Sequence, residues 1–427
     1  MLSAFPADFL KVTAMSRHVL RNARVFDSIK GVLLPMGTVV VDDGRIASLT
    51  VGDDVKSDTS AEHAIDLKGR IVLPGFIDCH VHVTAVHHDV WALSAQPPSY
   101  ITAQARHILE GMLMRGFTTA RDAAGADYGV QLAIERGFLR GPRLFISGAP
   151  LSQTGGHADS RPRGVKEFMC TCAGLGLFPA IADGVPEVRR AVREQLRCGA
   201  NQIKIMAGGG VASPTDPIDG TQYSLEEITA ACEEAYAANT YVMAHAYSPR
   251  SITRAVQCGV RSIEHGNLLD EPTAKVMKSH GAFLVPTLAT YAMLAEEGTR
   301  LGWSDEMLGK LERVKDAGTR AIAIAKAEGI PIAFGTDLLG AMHAHQSIEW
   351  RLRAGVQTPV EILQGATSVA AKLLNQEGKL GVIAPGAHAD LVVVDGDPTS
   401  DITLLCAPDK AIVGVMKAGV WEKPLRA

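Results

Sequence analysis

The sequence lacks the features that mark nucleic-acid-binding and membrane proteins. It has no long run of like charges, and 42 Lys and Arg residues against 46 Asp and Glu residues give a net charge of -4. Nucleic acid and anionic membrane are therefore poor candidates as partners. Hydrophobic residues make up 47% of the chain but form no apolar stretch of spanning length. We expect a soluble protein.

Cysteine is scarce, and its pattern does not indicate disulfides. The seven cysteines form an odd set scattered over predicted strands, helices and a loop, which is typical of free thiols in a reducing compartment. Cys170 and Cys172 have no second pair at zinc-finger spacing, so we interpret them as ordinary loop and core residues. The start of the chain has no signal-peptide pattern. We expect a loose N-terminal arm on a cytoplasmic protein.

The hydrophobic pattern divides the 427 residues into three segments. Short alternating pieces with Gly and Pro turns occupy residues 18–72 and 378–420, and they predict antiparallel strands. We expect segments 1–74 and 378–427 to build one discontinuous β-sandwich domain. Segment 75–377 would then form a separate domain between its two halves.

The middle segment alternates apolar strand-like pieces with amphipathic helices, which is typical of βα units and a parallel sheet. One such helix, Ser224–Ala237, has a Ser cap followed three residues later by Glu. The pattern predicts an α/β fold, a (β/α)8 TIM barrel with its chemistry at the carboxyl ends of the strands. A polar, Gly-rich insertion at 148–184 should overhang the barrel mouth. The eight predicted strands are 76–83, 118–122, 143–147, 202–207, 241–247, 262–265, 282–286 and 332–337.

Two histidines lie on the first barrel strand, in GFIDCHVHV. The strand period of two aims His80 and His82 at one face, where two neutral imidazoles can chelate a metal ion such as Zn, Fe or Mn. The alternative is a pair of core histidines bonded to the backbone. The preceding Pro74-Gly75 turn and the neighbouring Asp78 favour the ligand interpretation.

Further candidate ligands end other strands: His245 in YVMAHAY, His265 in SIEHG and Asp337 in IAFGTD. Neighbouring strands lie about 4.8 Å apart, so two histidine rings at equal height could hold one ion. The last strand of a closed barrel lies beside the first. We therefore expect Asp337 near His80 and His82.

Lys204, in QIKIMAGGG, faces the barrel interior together with Gln202 and Met206. A buried ammonium is costly unless it is neutralised or paired. Carboxylation by carbon dioxide would make Lys204 an anionic ligand able to bridge two cations. Pairing with a carboxylate such as Glu264 is the open alternative.

These strand-end residues resemble the metal-dependent amidohydrolase superfamily: HVH on strand one, Lys on four, His on five and six, and Asp on eight. The motif PGAHADLVVVD is similar to the composite β domain of that superfamily. SQTGGHADSRPRG, IKIMAGGGVASPTDPI, MAHAY, SIEHGNL and FGTDLLG resemble its imidazolonepropionase-like branch, which contains Xaa-Pro dipeptidases and ochratoxin-type amidases. The resemblance covers nearly the whole chain.

The resemblance implies two divalent metal ions, with zinc the first choice. Carboxylated Lys204 and a hydroxide would bridge them, and Asp337 would take the proton of the attacking water and pass it to the leaving amine. A mononuclear deaminase is less favoured, because no Glu stands three residues after His245. The implied ligands of the more buried and the more exposed ion are, respectively, His80, His82 and Asp337, and His245 and His265.

The resemblance also implies substrate contacts. Tyr247 would bind the substrate carboxylate, and the loop residue His157 would reach the scissile carbonyl. Arg161 and Arg163 could add carboxylate contacts or form a solvated basic face. Four more histidines lie in loops after the first and last strands and have no assigned role: His87, His88, His343 and His345.

The expected activity is hydrolysis of the amide bond to a C-terminal amino acid with a free carboxylate, first of all in an Xaa-Pro dipeptide. An N-acyl aromatic amino acid of the ochratoxin type is the second candidate, and a cyclic amide resembling the imidazolonepropionase substrate is the third. A non-catalytic scaffold is the rival from another class, but none of the six ligands is missing. The related dipeptidases imply a homo-oligomer.

Overall fold

The computed structural model describes residues 17–52, 64–161, 163–166, 175, 177–213, 216–300 and 302–426. The predicted N-terminal arm, Cys170, Cys172 and part of the 148–184 insertion lie outside these residues. The remaining five cysteines are free thiols. Within the described ranges, every helix is too short or too polar to traverse a lipid bilayer.

The strands, numbered along the chain, are β1 (His18–Asp27), β2 (Val32–Asp42), β3 (Arg45–Val51), β4 (Ala64–Asp66), β5 (Ile71–Pro74), β6 (Phe76–Val81), β7 (Phe117–Asp122), β8 (Arg143–Ile146), β9 (Leu151–Ser152), β10 (Ala180–Ile181), β11 (Ile203–Met206), β12 (Val242–Ala246), β13 (Ser262–His265), β14 (Phe283–Val285), β15 (Leu391–Val394), β16 (Ile412–Lys417) and β17 (Val420–Lys423).

The α-helices are α1 (Val90–Ser94), α2 (Pro98–Met114), α3 (Tyr128–Glu135), α4 (Val185–Arg197), α5 (Leu225–Ala237), α6 (Pro249–Gln257), α7 (Glu271–Ser279), α8 (Leu288–Glu297), α9 (Asp305–Val314), α10 (Ala317–Glu328), α11 (Ile348–Arg353), α12 (Pro359–Gly365), α13 (Ser368–Leu373) and α14 (Pro408–Ala411). In the described part of the chain, 3-10 helices span Gly340–His345 and Ile402–Cys406.

Strands from both ends of the chain form one eight-stranded sheet, in the order β17-β16-β15-β5-β1-β2-β3 with β4 also paired to β1. Most neighbours are antiparallel, as predicted, but β1 pairs in parallel with β4 and β5. The sequence could not reveal this difference, because a strand has the same side-chain period in both kinds of pairing. The sandwich and the domain boundaries stay predictions.

The middle of the chain is an α/β arrangement with two parallel sheets, ordered β6-β7-β8 and β10-β9-β11-β12-β13-β14. Seven of the predicted strands correspond to β6, β7, β8, β11, β12, β13 and β14. The helix predicted from Ser224 is confirmed as α5, with a capping box in which Ser224 and Glu227 each accept the other's backbone N–H. Part of the 148–184 insertion joins the larger parallel sheet as β9 and β10.

The predicted strand 332–337 is not a regular strand. Only Ile332 forms a bridge, to Leu284, although the Asp337 N–H donates to the His80 carbonyl at 2.8 Å. A Cβ at Gly335 would lie 2.5 Å from Val285 and 3.0 Å from the His80 Cβ, and Asp337 has a left-handed φ of 55°. The close approach to His80 requires glycine at 335, and the left-handed turn at Asp337 departs from strand geometry.

Candidate metal centre

His80, on β6, and His82, just past the end of that strand, present the same ring nitrogen, Nε2, to the interior. His80 Nδ1 lies 2.6 Å from Glu264 Oε2, and His82 Nδ1 lies 3.0 Å from the Ala124 carbonyl oxygen. Carboxylates and carbonyls only accept, so each ring donates its Nδ1–H and keeps a lone pair on Nε2. Asp337 Oδ1 lies 3.4 Å from His80 Nε2 and 3.1 Å from His82 Nε2. The structure therefore brings these three side chains together.

His245 and His265 end neighbouring strands, but not at the equal height that the sequence suggested. In the register of β12 and β13, His265 pairs with Ala246 and His245 pairs with Glu264. The left-handed φ of 73° at His265 turns the chain at this point. The two ring centroids still lie 4.6 Å apart.

Hydrogen bonds also fix the ring orientation of this second pair. His245 Nε2 lies 3.0 Å from the Gly209 carbonyl oxygen, so Nε2 donates and Nδ1 keeps its lone pair. His265 Nδ1 lies 2.8 Å from Thr287 Oγ1, which leaves Nε2 of that ring for a ligand. No local sequence signal points to Thr287, whose contact depends on the tertiary fold.

One nitrogen each of His80 and His265 and one carboxylate oxygen of Asp337 all lie within 4.8 Å of one another. His265, Thr287 and Asp337 have positive φ angles of 73°, 22° and 55°. Such conformations are unfavourable for residues other than glycine, and they cluster at functional sites. The backbone is thus distorted where the candidate ligands converge.

The protonation states suit a divalent cation. Burial lowers the pKa of His265 to about 3 and holds the pKa values of His80 and His245 well below their usual range. Burial opposes ionisation of Asp337, yet the neighbouring His80, His82 and His265 hold its pKa below the usual range. At neutral pH His80, His245 and His265 are therefore neutral and Asp337 is anionic, and these are donors that zinc binds. His82 differs: burial opposes its protonation, but the hydrogen bond to Asp337 raises its pKa.

Lys204 lies on β11 and is buried. Burial lowers its pKa to about 8, against the opposing charges of Glu264 and Asp337. The Glu264 carboxylate is bonded by Arg121 Nη2 at 2.9 and 3.0 Å and by His80. Among the described residues, no carboxylate forms an ion pair with Lys204. Glu264 pairs with Arg121 and His80 instead, so the geometry does not favour the alternative of a Lys204–Glu264 pair.

His157 lies against His245 with their ring centroids 4.1 Å apart. Its Nδ1 is 3.6 Å from Asp216 Oδ2, and that same oxygen accepts from the Gly210 N–H at 3.0 Å and from Gln222 Nε2 at 3.0 Å. A Cβ at Gly210 would lie 1.8 Å from the His157 ring. The loop after β11 therefore needs glycine at 210 to accommodate the ring.

Tyr247 is buried beside the histidines, its ring centroid 4.8 Å from that of His245 and 5.4 Å from that of His265. Its hydroxyl accepts a hydrogen bond from the Tyr291 hydroxyl at 2.8 Å. Tyr291 lies on α8 and was not anticipated from the sequence.

The remaining predicted contacts are less closely associated with the metal centre. Arg161 donates from Nε and Nη2 to Asp159 at 2.7 and 2.6 Å, so its guanidinium is already paired. Arg163 is exposed. The substrate roles of both arginines stay predictions.

Among the unassigned histidines, His87 and His88 stack with their ring centroids 4.4 Å apart. His343 is buried, and burial lowers its pKa to about 3. His345 is exposed.

Residues 71–421 match the model of the amidohydrolase family. An ochratoxinase from Aspergillus niger is 32% identical over 420 residues, which cover 92% of this chain and 87% of that protein. An imidazolonepropionase from Methylobacterium nodulans is 24% identical over 414 residues, covering 88% and 92%. A crystal structure of a prolidase complexed with N-methylphosphonate-L-proline is 49% identical, covers 96% of this chain and 100% of its own, and superposes with a TM-score of 0.91.

Proposed function

We infer the activity of this chain from the family to which it belongs: it is a member of the amidohydrolase family, as the sequence motifs indicated. We propose that it hydrolyses the amide bond to a C-terminal amino acid with a free carboxylate, an Xaa-Pro dipeptide being the first choice. The observation that carries the proposal is the convergence of His80, His265 and Asp337, whose donor atoms lie within 4.8 Å of one another. The prolidase with 49% identity supports the choice of dipeptide.

We infer that the two parallel sheets belong to one (β/α)8 barrel. Ala333 N donates to the Leu284 carbonyl beside β14, and Asp337 N donates to the His80 carbonyl on β6. Asn201 N, just before β11, donates to the Ile146 carbonyl at the end of β8. The first two bonds connect the edge strands β14 and β6 through the segment 332–337, and the third connects the edge strand β8 to the larger sheet, which supports a closed barrel.

Six side chains would hold two divalent ions, with zinc the first choice because their donors are imidazole nitrogens and carboxylate oxygens. When bound, the ions would lower the pKa of a coordinated water and polarise the substrate carbonyl. The six are His80, His82, Lys204, His245, His265 and Asp337.

Lys204 would act as a carboxylated ligand. Only a neutral amine attacks carbon dioxide, and the pKa of about 8 keeps part of Lys204 neutral near physiological pH. The new N–C bond forms as the amine loses a proton to solvent, and the product is an anionic carbamate. Its negative charge would partly offset the charge of two cations. Among the described residues, no carboxylate forms an ion pair with Lys204 that could supply this charge instead.

Asp337 would move the proton. Its carboxylate lies at the centre of the candidate ligands, 3.1 Å from His82 Nε2 and 3.4 Å from His80 Nε2. From there Asp337 would accept the proton of the attacking water and deliver it to the leaving amine. Replacement by Asn would keep the shape and remove the base.

Tyr247 and His157 would orient the substrate. The Tyr291 hydroxyl donates to Tyr247, so the Tyr247 hydroxyl has its own hydrogen left for a substrate carboxylate. His157 is held over His245, with its Nδ1 toward Asp216. Its other nitrogen would reach the substrate carbonyl.

Three substrates test the proposal: an Xaa-Pro dipeptide, an N-acyl aromatic amino acid of the ochratoxin type and the cyclic amide 4-imidazolone-5-propanoate. We expect the highest kcat/KM on the dipeptide and a loss of several orders of magnitude in Asp337→Asn with unchanged circular dichroism. A chain that is inactive on both acyl amino acids would refute the proposal.

Amidase activity on N-acyl aromatic amino acids is the second candidate, supported by the ochratoxinase at 32% identity. The same three compounds separate the two activities. We also propose a homo-oligomer, which light scattering after gel filtration can test, and a cytoplasmic location, which the five free cysteines support.

A further inference from the structure

A cavity of about 440 Å³ lies beside α2, α11 and the segment 406–409. None of the six proposed metal ligands lines it. Its described lining contains two arginines, one histidine and one serine, with Asp409 as the single acidic residue. The cavity therefore has an excess of positive charge.

The first of these arginines, Arg115, is half-buried, and the carboxylates of Asp78 and Asp409 lie near it without forming an ion pair among the described residues. Its Nε donates to Gln346 Oε1 at 2.9 Å, and among the described residues it forms no ion pair. Burial lowers its pKa to about 10, so the guanidinium is charged at neutral pH. Partial burial of a charge that has no directly bonded carboxylate is costly, and a bound anion would offset that cost.

Gly111 keeps space beside this guanidinium. A Cβ at Gly111, which lies within α2, would be 3.0 Å from Arg115 Nη1 and 3.4 Å from Nη2. Gly111 and Arg115 both line the cavity. Nη1 and Nη2 are the two Arg115 nitrogens that do not bond Gln346. Terminal guanidinium nitrogens match the spacing of carboxylate and phosphate oxygens.

Other lining residues supply further donors. Ser347 is 6% exposed, and its Oγ has no hydrogen-bond partner among the described residues. A buried hydroxyl without a partner indicates that a ligand atom or a water completes it. Arg351 and His345 are exposed and line the same cavity.

We propose that this cavity binds a small oxyanion, an organic molecule with a phosphate or carboxylate group, through Arg115, Ser347 and Arg351. The cavity is also connected to the strand of the candidate metal ligands. Gln346 donates from Nε2 to Asp78 Oδ2 at 2.8 Å, and Asp78 Oδ1 accepts the His80 N–H at 3.1 Å. The proposal does not depend on the proposed hydrolase activity.

Calorimetry on the full chain at constant ionic strength tests it, with sulfate as the tetrahedral probe and succinate as the carboxylate probe. We expect at least one probe to bind and Arg115→Gln to weaken that binding by about tenfold or more. The matched control is Arg320→Gln, an exposed arginine on α10, which should bind as the wild type does. Binding of sulfate alone identifies a phosphate-type ligand, and binding of succinate alone identifies a carboxylate.

The proposal would be overturned if neither probe bound at about 10 mM, or if Arg115→Gln bound the probe as tightly as the wild type does. The second result is also the one expected if the anion binds at the metal centre. Should Arg115→Gln fail to fold, Gly111→Ala serves in its place, because the new Cβ crowds Nη1 while alanine favours the helix. Gly309→Ala, at a helical glycine with open space around it, is its control. Full affinity in Gly111→Ala together with full affinity in Arg351→Gln would then reject the site.

Discussion

Glu264 Oε2 lies 2.6 Å from His80 Nδ1, while Arg121 bonds both oxygens of the same carboxylate. All three side chains are buried. Glu264 thereby fixes the His80 tautomer and keeps Nε2 available as a ligand.

We expect Glu264→Gln to weaken zinc binding by about 10- to 100-fold, because His80 loses the partner that orients its ring. The free energy of unfolding should fall by about 3–5 kcal/mol, since Arg121 is left as an uncompensated buried charge. Zinc titration and chemical denaturation measure the two effects. Glu135→Gln, at an exposed position at the end of α3, is the control, and unchanged zinc affinity in folded Glu264→Gln would remove Glu264 from the account.

Gly210→Ala should displace His157, because the added Cβ would lie 1.8 Å from the ring. A displacement of about 1 Å at a substrate-contacting group lowers kcat/KM by about 100-fold. Gly309→Ala adds the same methyl group where no atom lies within 4 Å, and we expect it to keep full activity. Steady-state kinetics on the best of the three substrates compare the two variants, and equal rates would show that His157 takes no part.

Tyr247→Phe removes the hydroxyl proposed to bind the substrate carboxylate. A hydrogen bond to a charged group contributes about 1.5–3 kcal/mol, so KM should rise by about tenfold or more. The carboxamide analogue of the same substrate should show no such difference. Tyr236→Phe, at a side chain that is 83% exposed, controls for loss of a hydroxyl, and an equal rise in KM for both substrate forms would contradict the assignment.

Recovery of metal-free protein should depend on carbon dioxide and on pH through Lys204. Burial lowers the pKa of this amine to about 8. The neutral, reactive fraction of Lys204 therefore increases as the pH rises toward 8 and decreases as the pH falls below 8. At fixed dissolved carbon dioxide, we expect zinc to restore activity faster at pH 8 than at pH 6.5. Recovery of Lys204→Met should not depend on carbon dioxide. If the wild-type protein recovered at equal rates with and without carbon dioxide, the carbamate would be excluded.

The sequence predicted the parts of the site that depend on local spacing. The HVH pair and the histidines within YVMAHAY and SIEHG were predicted from the strand period, and the closeness of Asp337 to His80 was predicted from the neighbouring first and last strands of a closed barrel. Contacts between distant residues were not visible: Arg121 and Glu264 are 143 positions apart, and Tyr291 meets Tyr247 from a separate helix. The left-handed turns at His265 and Asp337 also have no local signal, because tertiary packing imposes them.

Elemental analysis of the protein reconstituted with zinc and bicarbonate tests the central claim most directly. Two zinc ions per chain are expected from the six proposed ligands, and Lys204→Met should hold fewer. Less than one ion per chain in the wild type, with no hydrolysis of any of the three substrates, would contradict the account and favour a non-catalytic scaffold.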